Sequence, residues 1–204
     1  MTISPALASW ILRVSLAGCF AGHGAVAISG NAAWLAFFEP FGIGAEVARL
    51  VMPAVGALDL AVAAGLLVRP CRALYAWAAL WTVFTALLRP LAGGGVLDVV
   101  VRAANWGPPL ALLLLSSGAA WWSATQATTA SSASRRGALA VLGLAMTCIA
   151  LGLTAQGGGR AGAMPASLLD LCTLLERAGV VGVPLALAAL LASRAGGAAR
   201  NHTG

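Results

Sequence analysis

The sequence predicts an all-α fold: a polytopic bundle of six transmembrane helices, in which a four-helix core is followed by a two-helix extension. Three observations predict it. The 204 residues are 60% hydrophobic, only 9% of them are charged, and the apolar residues occur in six long runs. Soluble domains usually carry about 25% charged residues. A surface with so few charges is stable only against lipid, so we expect the chain in a bilayer.

Six apolar runs define the predicted spans. A helix needs about 20 predominantly apolar residues to cross the hydrocarbon core of a membrane. The runs that approach this length are residues 8–28, 47–68, 73–88, 96–117, 137–155 and 167–193. The third is short, and the sixth is long enough to tilt. The first run has no basic segment before it and is interrupted by Arg13, which favours a retained anchor over a cleaved signal peptide.

These runs also divide the chain. The predicted parts are a core at residues 1–118, a flexible cytoplasmic linker rich in Ser, Thr and Ala at 119–136, a two-helix extension at 137–193, and a cytoplasmic tail at 194–204. Residues 102–112 resemble residues 177–187 in sequence. Helices five and six are therefore either an independent extension or a degenerate copy of helices three and four.

The arginines predict the orientation, since all twelve basic residues are Arg. Alternate connections carry basic residues and no acid, namely Arg69, Arg72, Arg135, Arg136, Arg194 and Arg200. Cytoplasmic loops are enriched in such residues, so both termini are expected in the cytoplasm. The expected location of the protein is the inner (plasma) membrane. Despite a net charge of +6, the arginines form no basic helix face, which argues against nucleic-acid binding.

Residues 31–44 are too short to span and are rich in aromatic residues. Trp34, Phe37, Phe38 and Phe41 surround Glu39 in this stretch. Aromatic rings with a polar companion favour the headgroup layer, so we expect the segment to lie flat on the outer surface. The alternative is a lid over a substrate site.

Charged residues inside the apolar runs are informative, because a charge in hydrocarbon costs at least about 2.5–3.5 kcal/mol and therefore finds a partner. Arg13 lies roughly 8 Å, and Asp59 roughly 14 Å, from the cytoplasmic ends of the first two helices. An extended Arg side chain covers that difference. The sequence thus predicts a structural ion pair between Arg13 and Asp59.

A polar cluster is predicted near the outer ends of the helices. Asp98 and Arg102 are four residues apart and share a helix face. The candidate ligand-binding residues are His23, Arg89, Asp98, Arg102, Asn105 and Trp106. One carboxylate cannot neutralise two guanidinium groups, which favours binding of quinone carbonyl oxygens or a small anion, with the indole covering an apolar ring. The alternative is a structural polar network.

Other motifs bear on packing and exclude several kinds of chemistry. Residues 18–22 form a GxxxG motif, which allows a close helix neighbour, and residues 107–109 (Gly-Pro-Pro) predict a kink. The four cysteines are far apart and His23 is the only histidine in a span, so no ligand set for a metal or a covalently bound cofactor is predicted. No catalytic motif is present, and no catalytic residue is assigned.

Several short motifs recur in the order of a known family. They are Leu-Arg at 12–13, Gly-His-Gly at 22–24, Trp34, Pro-Phe-Gly at 40–42, Pro53, Gly-Ala-Leu-Asp at 56–59, Arg-Pro at 69–70, residues 85–93 and the segment around Arg102. Together they cover about residues 8–117 and resemble the DoxX-like family of small membrane proteins. The chain departs from that family in having Asp59 where glutamate is frequent, and in adding helices five and six.

The resemblance implies a four-helix membrane bundle linked to redox work, because some members resemble thiosulfate:quinone oxidoreductase subunits. The leading hypothesis is a redox-associated membrane subunit that binds quinone or a small anion. Its electrons would come from a soluble or membrane oxidoreductase partner or from a bound substrate. One alternative is a non-enzymatic scaffold or assembly factor. Another is a small-solute transporter that uses the membrane carboxylate Asp59.

Overall fold

The computed structural model describes residues 5–125, 130–155, 171 and 175–201. Within these residues the regular structure is helical and contains no strand, which confirms the predicted all-α class. The helices are α1 (Pro5–Ile28), α2 (Ala45–Val68), α3 (Arg72–Leu91), α4 (Val96–Val101), α5 (Ala103–Leu115), α6 (Ser132–Ala155) and α7 (Ala178–Asn201). Two 3-10 helices, Ala32–Phe37 and Glu39–Phe41, connect α1 to α2.

Among the described residues, four helices are long and apolar enough to cross a membrane: α1, α2, α3 and residues Ser132–Leu151 of α6. Their length and composition are compatible with an integral membrane protein. Large apolar side chains also cover the outside of the bundle, such as Leu50, Leu80 and Leu87, which are 79%, 65% and 50% exposed. An apolar exterior of this kind is suited to lipid contact.

The two other predicted spans differ from the structure. The predicted span at 96–117 is broken at Arg102, between α4 and α5, and α5 alone is a short apolar helix. The predicted span at 167–193 falls partly outside the described residues, and α7 begins only at Ala178. The α7 helix continues as far as Asn201, into the predicted tail.

A close crossing of α1 and α2 fixes the core. A Cβ atom built on Gly24 would lie 2.7 Å from the carbonyl oxygen of Gly56, and one built on Gly56 would lie 2.6 Å from the carbonyl oxygen of Gly24. Any side chain at either position would push the helices apart. Small residues at such a crossing are the usual means of close helix packing in membranes.

The predicted extension shares one hydrophobic core with the first helices, because buried residues of α1, α2, α3, α5, α6 and α7 form a continuous cluster. Gly18, of the GxxxG motif, faces Ala178 of α7 within the same chain. Gly179 lies against the carbonyl oxygen of Ala104, which receives no N–H from Pro108. No Cβ atom fits at position 179, so the backbones of α5 and α7 are in direct contact there.

The segment between α5 and α6 is bonded to the start of α3. The backbone N–H of Ala73 donates to the carbonyl oxygen of Trp121 (3.0 Å), and that of Thr125 donates to Pro70 (2.9 Å). The guanidinium of Arg72 donates to the carbonyl oxygen of Ala119 (3.3 Å) and stacks over the Trp121 ring. This first half of the predicted flexible linker is therefore anchored. Its residues 126–129 lie outside the described residues, and from Ser132 it is helical.

Candidate functional site

A cavity of about 320 Å³ lies between α1, α2, α3, the start of α5 and the 3-10 helices. Four of the predicted ligand-binding residues line it: His23, Arg89, Arg102 and Asn105. The volume is within the range of small-molecule sites in proteins, which are mostly apolar with a few convergent polar groups. The predicted cluster is thus largely assembled around one space.

A chain of hydrogen bonds crosses the cavity wall from α5 to α1. The Nη1 atom of Arg102 lies 3.2 Å from Nε2 of His23, and Nδ1 of the same ring lies 2.8 Å from the carbonyl oxygen of Cys19. A guanidinium can only donate, so Nε2 must accept and the ring proton must sit on Nδ1. The geometry selects the neutral Nδ1–H tautomer of His23 and holds the Arg102 guanidinium beside the cavity.

Arg102 occupies the break between α4 and α5, where its backbone conformation (φ −77°, ψ 6°) leaves the helical region. Its carbonyl oxygen accepts from the backbone N–H of Asn105 at 2.8 Å. The break therefore starts a new helix whose first turn carries Asn105 into the cavity wall. The predicted continuous helix face of Asp98 and Arg102 does not form.

The aromatic segment between α1 and α2 covers the cavity. Trp34, Phe37, Phe38 and Phe41 all line it. The Trp34 ring lies 5.7 Å from the His23 ring, and the Arg89 guanidinium stacks 4.7 Å above the Phe37 ring. These contacts favour the alternative of a lid over the expected flat surface segment. The lid rings and the cavity cations hold each other in place by cation–π attraction and ring contact.

The predicted ion pair between Arg13 and Asp59 is absent from the described residues. Arg13 instead donates to the carbonyl oxygens of Leu66 (3.1 Å) and Leu67 (3.0 Å). Carbonyls in the last turn of a helix have no intrahelical partner, so the end of α2 provides ready acceptors. Asp59 lies roughly 10 Å farther along α2, beyond the reach of that arrangement.

Asp59 belongs to the cavity instead. Its side chain is 4% exposed and lines the space together with the Trp81 indole. Among the described residues, its Oδ1 atom has no hydrogen-bond partner. A buried polar atom without a partner is uncommon in folded proteins and marks a place where a ligand or water binds.

Two predicted site residues lie outside the cavity wall. The Asp98 carboxylate accepts a hydrogen bond from the backbone N–H of Gly95 (3.0 Å) and so caps the first turn of α4. Trp106 packs against the hydrophobic core. Asp98 still acts electrostatically on Arg89 and Arg102, but neither it nor the Trp106 indole lines the cavity as the sequence predicted. Asp59 and Trp81 provide those groups from α2 and α3.

A carboxylate that the sequence analysis passed over lies near the two arginines. Glu176 is 8% exposed, precedes α7, and acts electrostatically on both Arg102 and Arg89. Its Oε1 atom is buried without a hydrogen-bond partner among the described residues. The positive excess inferred from the sequence is therefore reduced by the extension. An acid within an apolar run was the signal that could have identified it.

Helical spacing from two predicted residues, Arg89 and His23, was the signal for the other missed ones. Trp81, Thr85 and Arg89 are four residues apart and share one face of α3, and Cys19 and His23 have the same relation on α1. All five line the cavity. Within the described part of the chain, no group of three His, Cys, Asp or Glu side chains could hold a metal ion. The site offers hydrogen bonding and apolar contact.

No protein-family model, no curated protein and no solved structure matches this chain significantly. The resemblance to the DoxX-like family consequently stays a prediction from the motifs.

Proposed function

We propose that this chain is an integral membrane protein that binds a quinone ring in the cavity, as a redox-associated subunit. The observation that carries the proposal is the combination of the guanidinium groups of Arg89 and Arg102 with aromatic walls around one cavity. Guanidinium donors suit the carbonyl oxygens of a quinone. The aromatic faces of the lid and of α3 suit its ring.

Arg102 is the group expected to bind a ligand oxygen. One of its nitrogen atoms is engaged by His23, which fixes the direction of the planar group. A guanidinium has five N–H donors, so others remain for a ligand. The buried amide of Asn105 lies in the next helical turn and lines the same cavity. Together they form a donor-rich end of the site.

A small anion is the second candidate ligand, favoured by the same two arginines. Two carboxylates weigh against it, because Glu176 acts on both arginines and Asp59 lines the cavity. An anion would also leave the aromatic walls without a complementary surface. A ring with carbonyl oxygens satisfies both kinds of wall and is therefore preferred.

The proposal also includes the orientation of the protein in the membrane, its family and its partner. The contacts of Arg72 with Ser117 and Ala119 place the α2–α3 and α5–α6 connections at one end of the bundle. Arg69 and Arg72 lie at the first connection, and Arg135 and Arg136 lie in the first turns of α6 after the second. This supports a cytoplasmic location for this end. We therefore keep the six-span arrangement with both termini cytoplasmic in an inner membrane, membership of the DoxX-like family, and an oxidoreductase partner that supplies electrons.

The test is a binding titration of the purified protein in lipid nanodiscs with 2-methyl-1,4-naphthoquinone. Wild-type protein should bind it, and Arg102→Ala should lose about tenfold or more in affinity, the usual worth of a hydrogen bond to a charged group. Arg49→Ala is the matched control, since Arg49 is exposed on α2 outside the cavity. Unchanged affinity in Arg102→Ala would overturn the proposal, and competition by inorganic sulfate would favour the anion.

A further inference from the structure

The cavity has two polar ends. The donor-rich end contains Arg89, Arg102 and Asn105, at the level of His23. Asp59 forms the other end. Gly24 and Gly56 cross at the level of His23, and Asp59 lies three residues farther along α2, roughly 5 Å deeper. A ligand that fills the cavity therefore meets donors at one end and a carboxyl group at the other.

The carboxyl end is unsatisfied in the described structure. Asp59 is 96% buried, and its Oδ1 atom has no hydrogen-bond partner among the described residues. Arg13, the one cation expected beside it, is bonded to the end of α2. Leaving a buried polar atom unpaired carries a full desolvation cost, so a ligand group at this position would be strongly favoured.

Most of the remaining lining is apolar. Phe38, Phe41, Met52, Val55 and Phe84 line the cavity together with other apolar side chains. Such walls accept a ring, and the hydroxyl groups of Thr82 and Thr85, which also line the cavity, already donate to backbone carbonyl oxygens of α3. The polar functions of a bound molecule must therefore lie at its opposite edges.

From this geometry we propose that the cavity selects a planar ring with oxygen functions on opposite edges, a 1,4-dihydroxy or 1,4-dioxo aromatic compound, and that Asp59 is the residue that binds the second oxygen. The inference rests on the proposed quinone binding and deepens it. A carboxylate accepts a hydrogen bond from a hydroxyl group, and a carboxylic acid donates one to a carbonyl oxygen. The Asp59 side chain can therefore bind both the dihydroxy and the dioxo form of the ring. A ligand with a single oxygen, bound at the donor-rich end, leaves Asp59 unpaired.

The experiment is a thermodynamic cycle between the residue and the ligand oxygen. Dissociation constants of 1,4-dihydroxynaphthalene and 1-naphthol are measured anaerobically on nanodisc-embedded wild type, Asp59→Leu and the control Glu46→Gln, an exposed acid outside the cavity lining. In the wild type and the control, loss of the second hydroxyl should weaken binding about tenfold or more. In Asp59→Leu the two ligands should bind within about twofold of each other, since no partner remains for that hydroxyl.

Each outcome is decisive. Equal losses in wild type and Asp59→Leu would overturn this inference and leave the proposed function standing. Failure of the wild type to bind either ring would overturn both. If Asp59→Leu does not fold, infrared difference spectra of the wild type replace it. A buried carboxyl band should then shift with 1,4-dihydroxynaphthalene and not with 1-naphthol, and identical spectra for the two ligands would contradict the inference.

Discussion

The Nη1 atom of Arg102 lies 3.2 Å from the Nε2 atom of His23 and joins the break between α4 and α5 to α1. The two residues are far apart in sequence but share the cavity wall. Because the imidazole is bonded at its other nitrogen to the backbone of Cys19, the arginine is held by a ring that is itself fixed. The packing of α1 against the α4–α5 break therefore fixes the position of the Arg102 guanidinium.

This relation predicts the tautomer of His23. The ring should be neutral with its proton on Nδ1, since Nε2 accepts from Arg102. Nitrogen-15 NMR of protein labelled at histidine, with His202→Asn to remove the other histidine signal, distinguishes the two ring nitrogens. Arg102→Ala should raise the population of the Nε2–H form. A dominant Nε2–H form in the wild type would contradict the hydrogen-bond assignment.

The crossing of α1 and α2 predicts a stability difference between two glycines. Gly56→Ala places a Cβ atom 2.6 Å from the Gly24 carbonyl oxygen, so overpacking should cost about 1–3 kcal/mol. Gly143→Ala is the matched control, because a Cβ atom at this helical position meets nothing within 4 Å and alanine is favoured in a helix by up to about 1 kcal/mol. Unfolding in detergent, followed by circular dichroism, gives both values. Equal stability of the two variants would contradict the crossing.

Glu176 predicts a change in anion affinity. Glu176→Gln removes a buried negative charge that acts on Arg102 and Arg89, so inorganic sulfate should bind about tenfold more tightly, as expected for 1–2 kcal/mol of Coulomb energy. Isothermal titration in nanodiscs measures this change. Glu46→Gln, at an exposed position in the first turn of α2, should leave sulfate affinity unchanged. The same increase in both variants would show a general charge effect and contradict the role of Glu176.

The aromatic lid predicts that the Phe37 ring contributes to ligand affinity. Phe37→Leu keeps an apolar side chain but removes the ring beneath the Arg89 guanidinium, so affinity for 2-methyl-1,4-naphthoquinone should fall about twofold to fivefold, the worth of a cation–π contact. Equilibrium dialysis of the two proteins provides the measurement. Trp122→Leu, an exposed aromatic residue outside the cavity, is the control. Affinity equal to that of wild type in Phe37→Leu would indicate that the lid does not position Arg89.

The contacts of Arg72 predict protection of the segment that follows α5. Amide hydrogens of Thr125 and Ala73 are bonded between this segment and α3, so both should exchange slowly. Arg72→Ala removes the hydrogen bond to Ala119 and the stacking on Trp121, and exchange at Thr125 should become about tenfold faster. Hydrogen exchange with mass spectrometry detects the change. Rapid exchange of Thr125 in the wild type would indicate a free linker instead.

Composition and apolar runs by themselves determined the helical class, because a chain with so few charges must cover its outside with apolar side chains. They also located α1, α2, α3 and α6, whose lengths match the thickness of a bilayer. The cost of charge in hydrocarbon identified His23, Arg89, Arg102 and Asn105 as neighbours, since polar groups at similar depth in a bundle converge on its interior.

Only the tertiary structure decided which groups pair. Sequence gives depth along a helix but not its rotation, so Asp59 was assigned to Arg13, whereas the free carbonyls of Leu66 and Leu67 bind that arginine. Helix rotation also left Asp98 and Trp106 outside the cavity lining and brought in Trp81 and the lid. Glu176 reaches the arginines because α7 packs on α1 at Gly18, a contact between residues remote in sequence. Side-chain pairing depends on which faces pack together, and packing is settled by the whole bundle at once.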